Sequence, residues 1–572
     1  MDSVELPFFV REQIRSCVLK RIEAFEKGYR QNVGLIGPKG RGKTSALRSI
    51  FLLLCAKPSL LPVYVDASVM DYDHFVERWI GALLTGFFLT QSVKPPSTFQ
   101  SLVANAEPLL PKTIERVRSL KAAMRKGRIA ASARDLFSLP ALVSEETGKK
   151  IVLMIDEFDH METLPVPDPF ALLGKEIMVE KDTLFLVTSS APVRAQEIFR
   201  EKLSLLFSNF EVVDLKPLGF SETVEYLQRC FPRRSFDAVQ KKFLIRMTDG
   251  NPVYLDLFMD RLQVCLNEDR RGLGSDGAPE TCAVDHVKIV EAFCEELSGG
   301  RARIDLLFRK KLQRCRGLAK DGSSHLKALL AVSCGRRKCL AIATFIGKKT
   351  RETKKILQRL VQEDMLVRKG AFYVLDDPLF RFWMREVFQR ANQMYLPDDA
   401  WLREGILAAL QKEYDRLVEE ESMDLTGRVQ ALFKEFRNDR VEMDSRKFCL
   451  PQFSEVVFRP TNGRVFPLLA RNQKVRWLCQ IAERAVREED VLLFAEELKH
   501  FRKNLQRKIL VTLGGIDQNA KLMAQQAGIQ LWDLRGFNSL LELYDLPKMI
   551  LLDEGEKNES PLGAVAESLH ST

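Results

Sequence analysis

The chain has 572 residues, 46% hydrophobic and 29% charged, with a formal net charge of +10, a length that predicts roughly three or four domains and a composition able to bury several cores. Its most apolar stretch, residues 79–90, is shorter than the ~20 residues a membrane span needs. The first ten residues carry Asp2 and Glu5 where a secretory leader would be basic, and eleven cysteines include no CxxC pair or zinc spacing, so a cytoplasmic protein with reduced thiols is expected.

In chain order, Ile14, Val18, Ile22 and Phe25 recur at helical spacing. That helix is equally readable as plain N-terminal core or as a segment packed against a nucleotide base. Val33–Ile36 then reads as a buried strand, and it runs into Gly37, Pro38, Lys39, Gly40, Arg41, Gly42, Lys43, Thr44 and Ser45. A G-x-x-x-x-G-K-T run between strand and helix predicts a phosphate-binding loop. Glycines let backbone N–H groups converge on phosphates, and the helix N-terminus adds a positive dipole end. Lys43 would reach the β- and γ-phosphates of ATP, and the Thr44 hydroxyl would bind Mg²⁺. A second strand is expected at 62–67 and a helix at 71–90; the proline-punctuated stretch 95–134, with a basic helix at 114–128, reads as a surface insertion.

Residues 151–155 are a continuous apolar run, as a strand buried on both faces must be, and it ends in Asp156, Glu157, Phe158 and Asp159. Carboxylates at that strand end predict Asp156 as a Mg²⁺ ligand and Glu157 as the base that polarises the attacking water. Asp159 and His160 read as a solvated turn. A further strand over 183–187 ends in Thr188, Ser189 and Ser190, where a polar residue, Ser189 and Ser190 foremost, either senses the γ-phosphate or its water or caps the strand. Arg194 and Arg200 follow on a helical stretch; charged residues are mostly exposed, and either could act as an arginine finger in a neighbouring subunit. After a last strand at 210–215 only helices follow, with a break at Asp249, Gly250, Asn251 and Pro252.

GPKGRGKT, IVLMIDEFD, the strand ending TSS, and DGNPVYL together resemble the archaeal-type ATPases, a branch of the AAA+/STAND P-loop group, over residues 5–265. The resemblance implies an α/β P-loop NTPase core (three layers, mainly parallel sheet) with a helical lid, in which Asn251 and Pro252 pack beside the nucleotide base. It also implies a winged-helix domain and a C-terminal α/β nuclease-like domain. The expected boundaries are 1–217 for the core, 218–269 for the lid, 270–300 for a linker and helix, and 301–392 for the winged helix. A helical connector follows at 393–445, a degenerate, non-cutting restriction-endonuclease-like domain at 446–552, and an acidic disordered tail at 553–572.

Charge is unevenly placed. Residues 301–390 hold 23 Lys and Arg against 8 Asp and Glu, more positive than the whole chain, so a polyanion partner is expected. Three helices and a short hairpin in this block predict a winged helix. Lys348, Lys349, Arg351, Lys354, Lys355 and Arg359 lie on or beside its third helix and are the candidate duplex-DNA contacts. In the last domain Pro467 and Leu468 stand where an active nuclease needs Asp, and Leu478, Cys479 and Gln480 where it needs Glu-x-Lys. Glu497 and Lys499 spell the triplet inside a predicted helix. Three functions follow as alternatives: an ATP-driven switch on DNA, a signalling ATPase that binds protein and forms ATP-dependent homo-oligomers, and an ATP-dependent nuclease.

Overall fold

The computed structural model describes residues 12–68, 71–203, 209–270, 282–298, 302–317, 322–393, 398–422, 425–443, 446–458, 468–500 and 505–550. The expected linker at 271–279, the tail at 553–572 and Pro467 lie outside them. The chain divides into two compact units; the first runs to Pro217 and includes Asn251–Val253, and the second holds the rest.

The first unit is built on five parallel strands: β1 (Asn32–Ile36), β2 (Leu60–Asp66), β3 (Lys150–Asp156), β4 (Thr183–Ser189) and β5 (Phe210–Asp214), in the order β2-β3-β4-β1-β5. The central strands β1, β3 and β4 are apolar almost throughout because both of their faces are covered. One face carries Val18, Ile22 and Phe25 of the helix Glu12–Glu26 and Leu47 and Ile50 of the helix Lys43–Cys55. The other carries Phe75, Trp79 and Leu83 of the helix Tyr72–Thr90. The proline-punctuated stretch forms the helices Phe99–Ala106, Pro111–Arg125 and Ile129–Phe137. Leu102, Ile114, Val117 and Leu136 bury it in that second layer, so it is core rather than surface excursion. Half of its eight basic residues are paired on the surface, among them Lys112 with Glu145, Arg116 with Asp135 and Arg118 with Glu107.

In the second unit the helices Phe220–Cys230, Ala238–Thr248 and Pro252–Arg270 come first, with a parallel pair of two-residue strands, β6 (Arg234–Ser235) and β7 (Cys282–Ala283). The helices Gly322–Ser333, Cys339–Ile346 and Thr350–Gln362 then precede an antiparallel hairpin, β8 (Val367–Lys369) and β9 (Phe372–Val374). The expected helical connector ends early. Helices Asp399–Ser422 and Leu425–Lys434 give way to a second hairpin, β10 (Asp439–Met443) and β11 (Arg446–Leu450), whose exposed Arg440 and Glu442 flank buried Val441. A five-stranded sheet closes the chain: β12 (Glu455–Phe458), β13 (Leu468–Arg471), β14 (Arg476–Ala482), β15 (Arg507–Thr512) and β16 (Gln530–Asp533). Its first three strands pair antiparallel and its last three parallel.

Candidate nucleotide site and nucleic-acid face

The loop between β1 and the helix Lys43–Cys55 is shaped by two glycines in the left-handed region, Gly40 (φ +81°) and Gly42 (φ +85°). Gly42 opens the helix and no side chain caps it, so the first-turn N–H groups stay available to an anion. Gly40 is required twice over: a Cβ there would stand 2.8 Å from Asn251 Oδ1 and 3.3 Å from Val253 Cγ2. Asn251 is itself buried, its Oδ1 accepting from the Val253 N–H at 3.0 Å. Pro38 and Lys39 form the exposed crown of the loop, Arg41 is buried, and Thr44 and Ser45 are half-buried.

Lys43 is buried and donates to the Gly37 carbonyl at 2.6 Å and the Pro38 carbonyl at 2.9 Å. Burial draws its ammonium down to about 8, against the opposing pull of Glu157, Asp156 and Asp159. An ammonium buried with backbone carbonyls as its hydrogen-bond partners gains most from an incoming phosphate.

The carboxylates meet this lysine at the ends of β3 and β4. Asp156 Oδ2 accepts from Thr44 Oγ1 at 2.8 Å and from the Tyr64 hydroxyl at 2.8 Å, while Oδ1 accepts from Thr188 Oγ1. Glu157 holds a left-handed backbone (φ +52°), a conformation that costs a non-glycine residue about 1–3 kcal/mol and collects at working sites. Its N–H donates to Thr188 Oγ1 at 3.1 Å, and its carboxylate accepts from the Ser190 N–H at 2.9 Å and from the Ser190 hydroxyl.

Thr44, Asp156, Glu157 and Ser190 are therefore brought together with Lys43. Ser189 is not: its hydroxyl accepts from the Ala191 N–H at 3.0 Å and is spent on a local turn. Asp159, read as solvated, is buried on the one-turn helix Phe158–Thr163, which sinks Phe158 into the core beside Phe170 and Phe199. Arg194 is paired with Glu162 at 3.0 Å, and Arg200 is exposed on the turn Ile198–Lys202. Tyr64 is the contributor that motif reading missed, and Thr188, expected as one of the polar residues at the strand end, donates instead to Asp156. Each lies on a separate strand, and only the sheet register brings it to Asp156.

These residues fit a nucleotide carrying its own Mg²⁺. Among the described residues no group of three or more His, Cys, Asp or Glu could cage a metal. One hydroxyl and one carboxylate in hydrogen-bond contact are the sparse set that Mg²⁺ uses when phosphates complete its shell.

In the second unit, Lys349, Arg351, Lys354, Lys355 and Arg359 are exposed, and none of the five makes an ion pair with a described residue; Lys348 is half-buried. The helix Thr350–Gln362 buries Thr353, Leu357 and Leu360 on its opposite face. Much of the surrounding positive charge is spent internally. Arg337 pairs with Asp545 at 2.7 Å, Lys338 with Asp439 at 2.5 Å, Lys369 with Glu542 at 3.2 Å, and Arg385 with Glu413 at 3.1 Å. The turn of the β8–β9 hairpin packs on one side against β10, while Arg368 and Ala371 stay exposed: a Cβ on Gly370 would lie 2.5 Å from the Arg440 carbonyl, which accepts from the Ala371 N–H at 2.9 Å.

In the C-terminal sheet, Leu468 and Leu478 are fully buried, and Leu478 faces Leu469 across the β13–β14 ladder. Glu497 and Lys499 fall in the helix Glu488–His500, and their side chains lie outside the described residues. No described helix is long and apolar enough to cross a membrane.

No family model matches the sequence. No curated protein matches it either. Among solved structures, the chain is similar to the ORC2 protein of Aeropyrum pernix in ADPNP–ADP complexes, at 13% identity and a TM-score of 0.41, covering 70% of this chain and 93% of that one. The ORC1 protein of the same organism in complex with DNA is similar at 13% identity and a TM-score of 0.36, covering 68% and 95%. A point variant of Thermotoga maritima RuvB is similar at 14% identity and a TM-score of 0.31, covering 68% and 97%. Similarity this distant assigns the chain neither a family nor an activity.

Proposed function

We propose that this chain is an ATP-binding and ATP-hydrolysing switch of the AAA+/STAND kind that engages duplex DNA through the basic face of the helix Thr350–Gln362. One observation carries the nucleotide half of this reading: Lys43, Thr44, Asp156 and Glu157 converge at the mouth of a loop whose glycines only that backbone path requires. The Lys43 ammonium would exchange its Gly37 and Pro38 carbonyls for phosphate oxygens. Thr44 and Asp156 would hold Mg²⁺, which when bound neutralises charge on the phosphates. Glu157 would orient a water and accept its proton, and Ser190 controls where that carboxylate points. Asn251, packed on Gly40, ties the segment that leads into the helix Pro252–Arg270 to the state of the loop.

Nucleotide binding by the intact chain, followed with the fluorescent analogue mant-ATP, tests the reading. Lys43→Ala should abolish binding, whereas Glu157→Gln should keep binding and stop phosphate release. Full turnover by the glutamine variant would remove Glu157 as base.

For the DNA half, the exposed charges of one helix face, unpaired among the described residues, support a duplex partner. Reversing Lys348, Lys349, Lys354 and Lys355 to Glu should abolish salt-sensitive duplex binding. Unchanged binding would favour the second reading, a signalling ATPase with a protein partner, for which the exposed Leu340 and Phe345 on the preceding helix are the supporting feature. An ATP-dependent nuclease is disfavoured by the buried leucines at the strand positions that would need carboxylates.

A further inference from the structure

Tyr64 is a residue whose ring and hydroxyl need separate explanations. On β2, Val63 and Val65 point into one core layer, and the Tyr64 ring packs against the other, the layer that holds Leu47, Ile50 and Met154. A phenylalanine would fill that slot equally well. The hydroxyl reaches from the ring to Asp156 Oδ2, at 2.8 Å, on the neighbouring strand, where Tyr64 pairs with Met154 two residues before the carboxylate.

A carboxylate offers about four acceptor positions. Three are taken here, by Thr44, Tyr64 and Thr188. Thr44 is the partner that the nucleotide-binding reading assigns to Mg²⁺, which leaves Tyr64 and Thr188 as the clamp. They hold the carboxylate from β2 on one side and β4 on the other. Groups that orient a metal ligand in this way typically change metal affinity about 10–100-fold when removed.

We propose that Tyr64 is a positioning residue for Mg²⁺: its hydroxyl, working against Thr188, holds the Asp156 carboxylate in the orientation that lets Asp156 and Thr44 share the ion. This rests on the nucleotide-binding reading, and the test separates the two. Full-length protein is titrated with mant-ATP, first in EDTA and then over a range of Mg²⁺ concentrations. Tyr64→Phe should raise the Mg²⁺ concentration for half-maximal enhancement about tenfold and leave binding in EDTA at the wild-type level. Thr188→Val should shift it the same way, and Thr188→Ser, which keeps the hydroxyl, should restore it. A wild-type Mg²⁺ dependence in Tyr64→Phe overturns the inference, as does an equal loss with and without Mg²⁺, which would mark a defect in the loop itself. If the unmodified chain binds no mant-ATP at all, the nucleotide reading fails and takes this one with it.

Discussion

Both carboxylate oxygens of Glu157 accept hydrogen bonds from Ser190, one from its hydroxyl and the other from its backbone N–H at 2.9 Å. A general base needs a free lone pair facing its water; of the about four that a carboxylate offers, Ser190 takes one on each oxygen and so holds both oxygens toward itself. A hydrogen bond to a charged group contributes about 1.5–3 kcal/mol, so releasing one of the two should be visible in the rate. Ser190→Ala, which keeps the N–H, should raise turnover at saturating ATP by up to about tenfold without changing mant-ATP affinity. A fall in turnover would instead make Ser190 an orienting group.

Gly40 and Asn251 offer a second test, because they lie far apart in the chain and touch. In Gly40→Ala, the added methyl meets Asn251 Oδ1 at 2.8 Å on a backbone with φ +81°. The left-handed conformation alone costs an L-residue about 1–2 kcal/mol. Nucleotide affinity should drop about tenfold or more, and the melting temperature by a few degrees. Adding Asn251→Gly removes the clash but not the backbone strain, so the double variant should recover part of the loss. A double variant no better than Gly40→Ala would show that Asn251 does not restrain the loop.

The loop itself was legible because its chemistry is concentrated in one short run of consecutive residues. The same is true of Asp156 and Glu157 at the end of an apolar run. What was not legible depends on register and burial. Tyr64 looks like an ordinary strand residue, and Thr188 like a strand-end hydroxyl aimed at phosphate, until β2 and β4 are set on either side of β3. Asp159 reads as solvent-facing until the neighbouring Phe158 is seen to pull the turn into the core. The basic block misled in degree: Arg337, Lys338 and Lys369 meet acidic partners contributed by residues 439–545, which a charge count over 301–390 cannot include. The β10–β11 hairpin was missed although its residues alternate, because the helices before it set the expectation.

The second unit contains a buried ionic cluster whose balance can be tested through stability. Glu542 is nearly fully buried between Lys369 at 3.2 Å and Lys548 at 3.6 Å, and Lys548 also pairs with Asp249 at 3.2 Å. Burial alone would raise the Glu542 carboxyl; Lys548 and Lys369 outweigh it and hold it down to about 2. Removing one partner from such a cluster leaves charge uncompensated and costs about 3–5 kcal/mol. Glu542→Ala should destabilise the second unit by that amount in urea unfolding, while mant-ATP still binds the first. A loss below about 1 kcal/mol would mean that the cluster is effectively solvated.

Asp256, on the helix Pro252–Arg270, predicts a pH dependence. Burial, with the nearby Asp260 carboxylate, pushes it up to about 6, above the ~3.9 of an unfolded Asp. Below pH ~4 both states are protonated and the residue is neutral in its effect. Between ~4 and ~6 the unfolded chain releases a proton that the folded chain keeps, so stability falls as pH rises; above ~6 the full cost is present. Asp256→Asn should therefore stabilise the protein at pH ~7.5 by about 1–2 kcal/mol and have no effect near pH ~4. Equal thermal shifts at both pH values would contradict this sign.

The unpaired charges of the helix Thr350–Gln362 lead to a prediction about salt rather than affinity alone. A phosphate contact made by one Lys or Arg releases about one counterion, so each adds close to one unit to the slope of log K against log salt. Arg351, Lys354, Lys355 and Arg359 are exposed on the face opposite the buried Thr353, Leu357 and Leu360, and they have no described acidic partner to compete with phosphate. Replacing Lys354 or Lys355 by Ala should lower the slope by about one unit each, in a fluorescence-anisotropy titration with a labelled duplex. By contrast, Lys338→Ala and Lys369→Ala, whose charges already face Asp439 and Glu542, should leave the slope unchanged. The comparison separates a defined helix face from a generally positive surface. If all four variants lower the slope alike, the duplex is held by net charge, and the helix is not its reader.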